Sequence, residues 1–194
     1  PTSIPYLQNS LTTYFNAMTV LGGNVLKLFA AALEMPHDYF ESSHTYPMSA
    51  LRCINYPGSN EPLRPMQKGA GEHSDYGSIT ILKSDPNVPG LELRLASGEW
   101  AKAPLVDNAF IVNIGDMMAR WTNDRWVSTL HRVTQESDPE GGPVRRQSMA
   151  FFHNTNLDSL IECIPSCLAP GEEPKYEKVL SGPYLQGRFE SAID

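Results

Sequence analysis

A chain of 194 residues is long enough for one domain with a sizeable core and too short for two ordinary ones. Its 41% apolar and 19% charged residues exclude the charge-rich, hydrophobe-poor disordered class. The net charge of -7 argues against generic affinity for nucleic acid or anionic membrane, although Arg145 and Arg146 form a local basic exception suited to a small acid.

The first residue is Pro1 rather than Met and a helical pattern begins almost at once, so the expectation is a single domain over 1–194 that lacks an N-terminal portion. From about Tyr6 to Leu33, Leu11, Tyr14, Phe15, Met18, Leu21, Val25, Leu28 and Phe29 recur at the three-to-four spacing of an amphipathic helix. Gly22-Gly23 weakens its middle and Pro36 stops it; His37 and His44 then fall in a loop whose aromatic neighbours suggest local packing. After Pro47, short apolar or alternating stretches at 50–56, 78–83, 91–95, 109–114, 126–134 and 147–153 read as strands. Turns are expected at Asp85-Pro86-Asn87, Ser97-Gly98, Asp107-Asn108, Asn123-Asp124 and Glu140-Gly141-Gly142-Pro143. Short strands at this spacing favour a sandwich or barrel over alternating β/α units.

The tail from about Asp158 is rich in proline and charge, gains weak helical character between Tyr176 and Phe189, and is expected to pack across the outside. No uninterrupted apolar run approaches the roughly 20 residues of a membrane span, and no secretory signal pattern is present. The expectation is a soluble, cytoplasmic protein with neither a membrane nor a nucleic-acid partner. Cys53, Cys163 and Cys167 lack a C-x-x-C pair and read as buried or free thiols in a reducing compartment.

The chemistry concentrates in a few polar residues. In Gly71-Glu72-His73-Ser74-Asp75-Tyr76-Gly77, a His and an Asp lie two positions apart at the mouth of a predicted strand, and extended backbone points i and i+2 to one side. His131, from a strand folding back beside the first, completes two imidazoles and one carboxylate. That set occupies one face of an octahedral ion and leaves the other face open, the ligand pattern of oxygen-activating Fe(II). Further on, Arg146 and Ser148 share a strand face, and a guanidinium with a hydroxyl beside it suits the far carboxylate of a diacid whose other end chelates iron. Singly, each residue has a commoner use: a satisfied core histidine, a solvated cation, a strand hydroxyl. No H-E-x-x-H helix and no carboxylate base beside the metal strand support a metal hydrolase.

The order of these residues resembles the Fe(II)- and 2-oxoglutarate-dependent oxygenases, in particular the isopenicillin N synthase-like branch. The resemblance runs from about Met48 to Phe152 and rests on His73-x-Asp75, on His131 after the 55 residues 76–130, and on Arg146-x-Ser148. Contextual strings add to it: Asn55-Tyr56-Pro57, Gly90-Leu91-Glu92-Leu93, Asn113-Ile114-Gly115-Asp116 and Ser128-Thr129-Leu130-His131-Arg132-Val133. It implies a mainly β fold with flanking helices, a distorted jelly roll or double-stranded β-helix of cupin-like form with its core at about 48–155. It further implies that His73, Asp75 and His131 bind Fe(II), and that Arg146 and Ser148 hold the distal carboxylate of 2-oxoglutarate. Tyr56 is either a further partner of that carboxylate or a strand aromatic packed on the core. Gly90, Gly115 and Asp116 are expected to serve turns, and Trp100, Trp121 and Trp126 to pack. The implied reaction hydroxylates, desaturates or cyclises a small organic molecule with O2, releasing succinate and CO2. Two alternatives stay open: an isopenicillin N synthase-type oxidase that dispenses with 2-oxoglutarate, and a jelly-roll binding module without turnover.

Overall fold

The computed structural model describes residues 3–59, 61, 68–137 and 142–192; Pro1 and the Glu140-Gly141 part of the expected 140–143 turn lie outside them. The helical periodicity near the N-terminus produces α1, Leu7–Ala32, with Met18, Gly22, Leu26 and Ala30 buried along one stripe. It ends where Glu34 turns left-handed at φ 57, two residues before Pro36. The helix runs unbroken through Gly22-Gly23, and close packing explains the first glycine: a Cβ at 22 would lie 2.7 Å from the His153 ring. By length and composition α1 is apolar enough to cross a membrane, with a mean hydropathy of 1.2 over the relevant window. Its buried stripe packs on a β-sheet.

Among the described residues ten strands follow: β1 Ala50–Tyr56, β2 Ala70–His73, β3 Ile79–Ser84, β4 Leu91–Arg94, β5 Trp100–Lys102, β6 Ile111–Ile114, β7 His131–Val133, β8 Arg146–His153, β9 Leu160–Ile161 and β10 Val179–Leu180. One antiparallel sheet has the order β1-β8-β3-β6 and a second β2-β7-β4-β5, while β9 and β10 form a small ribbon. Consecutive strands alternate between the two large sheets except for the β4–β5 hairpin, which is the winding of a double-stranded β-helix. Helices α2, Asp116–Trp121, and α3, Ser181–Glu190, complete the fold.

Strand alternation divides the major sheet between two environments. Ile79, Ile81 and Phe151 point outward into the main core with Met18, Leu26, Ala30, Met117, Met118 and Trp121. Full burial of a side chain such as Phe151 is worth about 1.5–3 kcal/mol relative to exposure. Leu82 and Ala150 point inward, joining Tyr56, Leu91, Ala103 and Val133 in a smaller cluster inside the barrel.

Several expectations change. The stretch expected as a strand at 126–134 is extended in a ladder only at His131–Val133. The tail does more than cross the outside, since Ile161, Ile164 and Leu185 are part of the main core. The cysteines, by contrast, are free thiols as expected, Cys53 exposed and Cys163 and Cys167 half-buried. The expected turns hold where described: Asn108, Asn123 and Asp124 sit at φ 53–62 and Gly98 at φ 87, and the Asp85 carboxylate accepts the Asn87 amide at 3.0 Å.

Candidate metal centre

His73 closes β2 and His131 opens β7, and the antiparallel register makes them direct cross-strand partners. Opposed residues in such a pair present their side chains on one face, and the two imidazole centroids are 4.3 Å apart. Asp75 arrives by a different route from the one its spacing suggests. The strand ends at His73, and Asp75 lies in the following loop, its carboxylate Oδ1 3.7 Å from His131 Nε2. The potential ligand atoms of His73, Asp75 and His131 all fall within 4.8 Å of one another. Asp75 and His131 are each 6% exposed, while His73 is the most open of the three, at the rim.

The loop bearing Asp75 is held by α2. Its opening amide groups, which lack intrahelical partners, donate to that loop: Asp116 N–H to the Asp75 carbonyl at 2.7 Å and Met117 N–H to the Gly77 carbonyl at 3.2 Å. The Asp116 carboxylate accepts from the Ser74 hydroxyl at 3.1 Å and from Arg188 Nη2, on α3, at 2.6 Å. Gly115 permits this close approach, because a Cβ there would lie 2.1 Å from the Gly77 carbonyl oxygen. Gly90 serves likewise by proximity, with Arg146 atoms 3.2 Å from where its Cβ would be.

The side chains are prepared for a cation. Nδ1 of His73 pairs with the Gly71 carbonyl at 2.8 Å and Nδ1 of His131 with the Thr129 carbonyl at 3.0 Å. A carbonyl only accepts, so each Nδ1 carries the proton and each Nε2 presents its lone pair, the tautomer a metal ligand needs. Asn113 Nδ2 donates to Asp75 Oδ2 at 3.4 Å, orienting the carboxylate while Oδ1 faces the histidines. This donor set fits Fe(II).

From the triad a cavity of about 170 Å³ runs into the barrel between Thr80, Leu82, Leu91, Val133 and Phe152, and reaches Tyr56, Arg146 and Ser148. β8 presents Arg146 and Ser148 on its inner face, each buried, with Gln147 exposed between them. Arg146 is 2% exposed; its Nη2 donates to the Ser84 hydroxyl at 2.5 Å, while Nε and Nη1 are buried with no hydrogen-bond partner at close range among the described residues. Burial pushes its pKa below the ordinary guanidinium value, opposed by Tyr56 and Asp85. Unpaired buried donors on a cation are costly, and a carboxylate in the cavity would satisfy them. The Tyr56 ring lies beneath the guanidinium at 5.3 Å and also belongs to the barrel's apolar cluster, so both of its expected uses meet in one position. Trp121 and Trp126 pack in or against the main core and Trp100 stacks on Arg132 at 4.1 Å.

The structure therefore brings together all six residues singled out in the sequence. Asn113 and Ser84 were missed. Asn113 stood within a quoted string, but its direction toward Asp75 depends on the β3–β6 register; Ser84 meets Arg146 only because β3 pairs with β8.

The sequence model of the 2OG-Fe(II) oxygenase superfamily matches residues 47–155, more than half of the chain and the whole of both large sheets. Among similar proteins, the "2-oxoglutarate-Fe(II) type oxidoreductase hxnY" of Emericella nidulans is 32% identical over 99% of this chain and 55% of its own length. The "Homoarginine-6-hydroxylase 2-ODD-233" of Oryza sativa subsp. japonica is 36% identical over 90% of this chain and 53% of its own length. The chain thus spans little more than half of these relatives. The crystal structure of a full-length Neurospora crassa protein in complex with alpha-KG superimposes with a TM-score of 0.90 at 35% identity, covering 95% of this chain and 57% of that one. With this match laid over a double-stranded β-helix that carries two histidines and a carboxylate at its mouth, the chain belongs to the 2OG-Fe(II) oxygenase superfamily.

Proposed function

We propose that the protein is an Fe(II)- and 2-oxoglutarate-dependent oxygenase acting on a small organic molecule, within the isopenicillin N synthase-like branch. The observation that carries the reading is the buried Arg146 guanidinium, with Nε and Nη1 left without partners, at the far end of the cavity that begins at the triad. A metal site alone needs no such cation, whereas a diacid chelating the metal through one end brings its other carboxylate there.

In this reading His73, Asp75 and His131 hold Fe(II), with Asn113 steadying Asp75 and the Gly71 and Thr129 carbonyls fixing the two imidazoles. Arg146 and Ser148 take the distal carboxylate, and Tyr56 lies against the guanidinium. Bound there, Fe(II) supplies the oxygen chemistry, coupling O2-dependent decarboxylation of 2-oxoglutarate to succinate and CO2 with oxidation of a substrate C–H bond. Leu82, Leu91, Val133 and Ala150 line the passage and exclude water from it. The cavity, at about 170 Å³, falls below the roughly 300–1,000 Å³ of a site for a drug-sized ligand. It suits the cosubstrate and leaves the primary substrate to the mouth. A cytoplasmic location belongs to the same reading and is supported by the three free cysteines.

The test is succinate formation from 2-oxoglutarate under air with added Fe(II). Wild type is expected to form succinate, and His73→Ala and Asp75→Ala to abolish it. Succinate formation that survives both substitutions, or O2 consumption that needs no 2-oxoglutarate, contradicts the proposal, the latter in favour of an oxidase.

A further inference from the structure

A second guanidinium faces the same cavity, and 2-oxoglutarate does not account for it. Alternation along β1 places Arg52, Ile54 and Tyr56 on the inner face, where all three line the cavity shared with His73, Asp75 and Asn113. Cys53 and Asn55 take the outer face, and there Asn55 accepts a hydrogen bond from Arg145 at 2.9 Å. Across the sheet, Tyr56 pairs with Arg146, Ile54 with Ser148 and Arg52 with Ala150. Arg52 is therefore two rows from the Arg146 anchor, and the next row beyond it holds Phe152 and Thr80, with Asn113 opposite Thr80 on β6. It sits toward the metal end, on the edge strand of its sheet.

Arg52 differs from Arg146 in two ways. It is exposed, and it makes no hydrogen bond or ion pair among the described residues. The loaded site does not need its charge. Fe(II) and Arg146 already balance the Asp75 carboxylate and the two carboxylates of the cosubstrate, so Arg52 remains as an uncancelled cation at the mouth. Its cross-strand partner Ala150 and the neighbouring Phe152 offer it no acceptor side chain. The mouth is also where the primary substrate must sit, given the small volume of the interior.

We propose that Arg52 anchors an anionic group of the primary substrate, so that the molecules oxidised here are organic acids that present a carboxylate to the β1 edge and a C–H bond to the metal. The guanidinium fork matches a carboxylate with two donors, and an amide or ester of the same skeleton returns less of that interaction. This rests on the functional reading above, in which the metal and 2-oxoglutarate occupy the interior.

The test is a binding measurement free of turnover. Protein is loaded with Mn(II), then titrated by calorimetry with 2-oxoglutarate, and then with a panel of aliphatic and aryl monocarboxylates, each paired with its neutral amide. Acids are expected to bind at least about ten-fold more tightly than their amides. Arg52→Gln is expected to weaken the best acid by about ten-fold to a hundred-fold, to leave its amide unchanged and to leave 2-oxoglutarate affinity unchanged; Arg52→Lys should fall between. Because Arg52 is exposed and unbonded, neither substitution threatens folding. The proposal is overturned if no acid binds, if amides bind as well as acids, or if Arg52→Gln leaves the acids untouched. Weakened 2-oxoglutarate binding in Arg52→Gln also overturns it, by assigning the guanidinium to the cosubstrate. Wild-type protein that fails to bind 2-oxoglutarate in the first titration refutes the underlying functional reading and this proposal with it.

Discussion

Replacing Arg146 with methionine should move stability and ligand binding in opposite directions. In the free protein the guanidinium is 2% exposed, with Nη2 bound to Ser84 at 2.5 Å, Nε and Nη1 unpaired, and the Tyr56 ring at 5.3 Å. A buried charge with no direct ion pair among the described residues destabilises, and well-packed apolar replacements of buried ionic groups are neutral or stabilising by roughly 1–4 kcal/mol. Part of that is offset by the lost Ser84 bond, so we expect Arg146→Met to raise stability without ligand by about 1–3 kcal/mol. Charge-assisted hydrogen bonds are worth about 1.5–3 kcal/mol each. Loss of the two free donors should therefore weaken 2-oxoglutarate by on the order of a hundred-fold or more. The assay is equilibrium urea denaturation of the Mn(II)-loaded protein with and without 2-oxoglutarate. At a hundred times its dissociation constant the ligand should add about 2.7 kcal/mol to wild type and nothing measurable to the variant. A variant that is less stable than wild type without ligand, and gains the same increment with it, refutes the assignment.

Two further predictions concern the helix-to-sheet contact and the neighbouring histidines His44, half-buried, and His153, buried. Gly23→Ala meets nothing within 4 Å and should stabilise by about 0.5–1 kcal/mol through helix propensity, whereas Gly22→Ala drives a Cβ into the buried His153 ring and should cost about 1–3 kcal/mol; equal shifts in the urea midpoint would contradict the α1 register. Burial pushes His44 down to about 4, opposed by its bond to the Phe40 carbonyl, and burial with the nearby His44 pushes His153 down to about 3. Their folded values lie below the ordinary 6.5, so the unfolded chain binds more protons; this stability is complete above pH 6.5 and is lost as pH falls toward 4 and then 3. Each contributes a slope of up to about 1.4 kcal/mol per pH unit within that window. Urea denaturation between pH 6.5 and 5 should show a shallower slope in His153→Phe than in wild type, and identical slopes would refute a neutral buried His153.

Much of the fold was legible because burial follows simple periods. The three-to-four spacing of α1 and the alternation of β1 and β8 survive to within a residue or so, since each lies against one extended apolar surface. Elements of two or three residues, β5, β9 and β10, are too short to show any period. Helix α2, six residues and less than two turns long, was not expected, because Asp116 at its start reads in sequence as a turn residue. Ile161 and Ile164 are isolated apolar residues in a proline- and charge-rich tail, and only tertiary contact shows that they enter the core. In the site, the His73, Asp75, His131, Arg146 and Ser148 set was visible in order and type. The direct pairing of His73 with His131 and the holding of the Asp75 loop by α2 were not, because both are set by long-range register rather than by neighbours in sequence.

The proposed function places Fe(II) at His73, Asp75 and His131 and a chelating 2-oxoglutarate reaching Arg146 in one cavity. Anaerobic titration of the Fe(II)-loaded protein with 2-oxoglutarate tests it most directly, through the visible charge-transfer absorption of a keto acid chelated to the metal. The band should grow to saturation in wild type, require far more 2-oxoglutarate in Arg146→Met and be absent in His73→Ala and Asp75→Ala. Folded, iron-loaded wild type that develops no band, or a band that persists in His73→Ala, contradicts it.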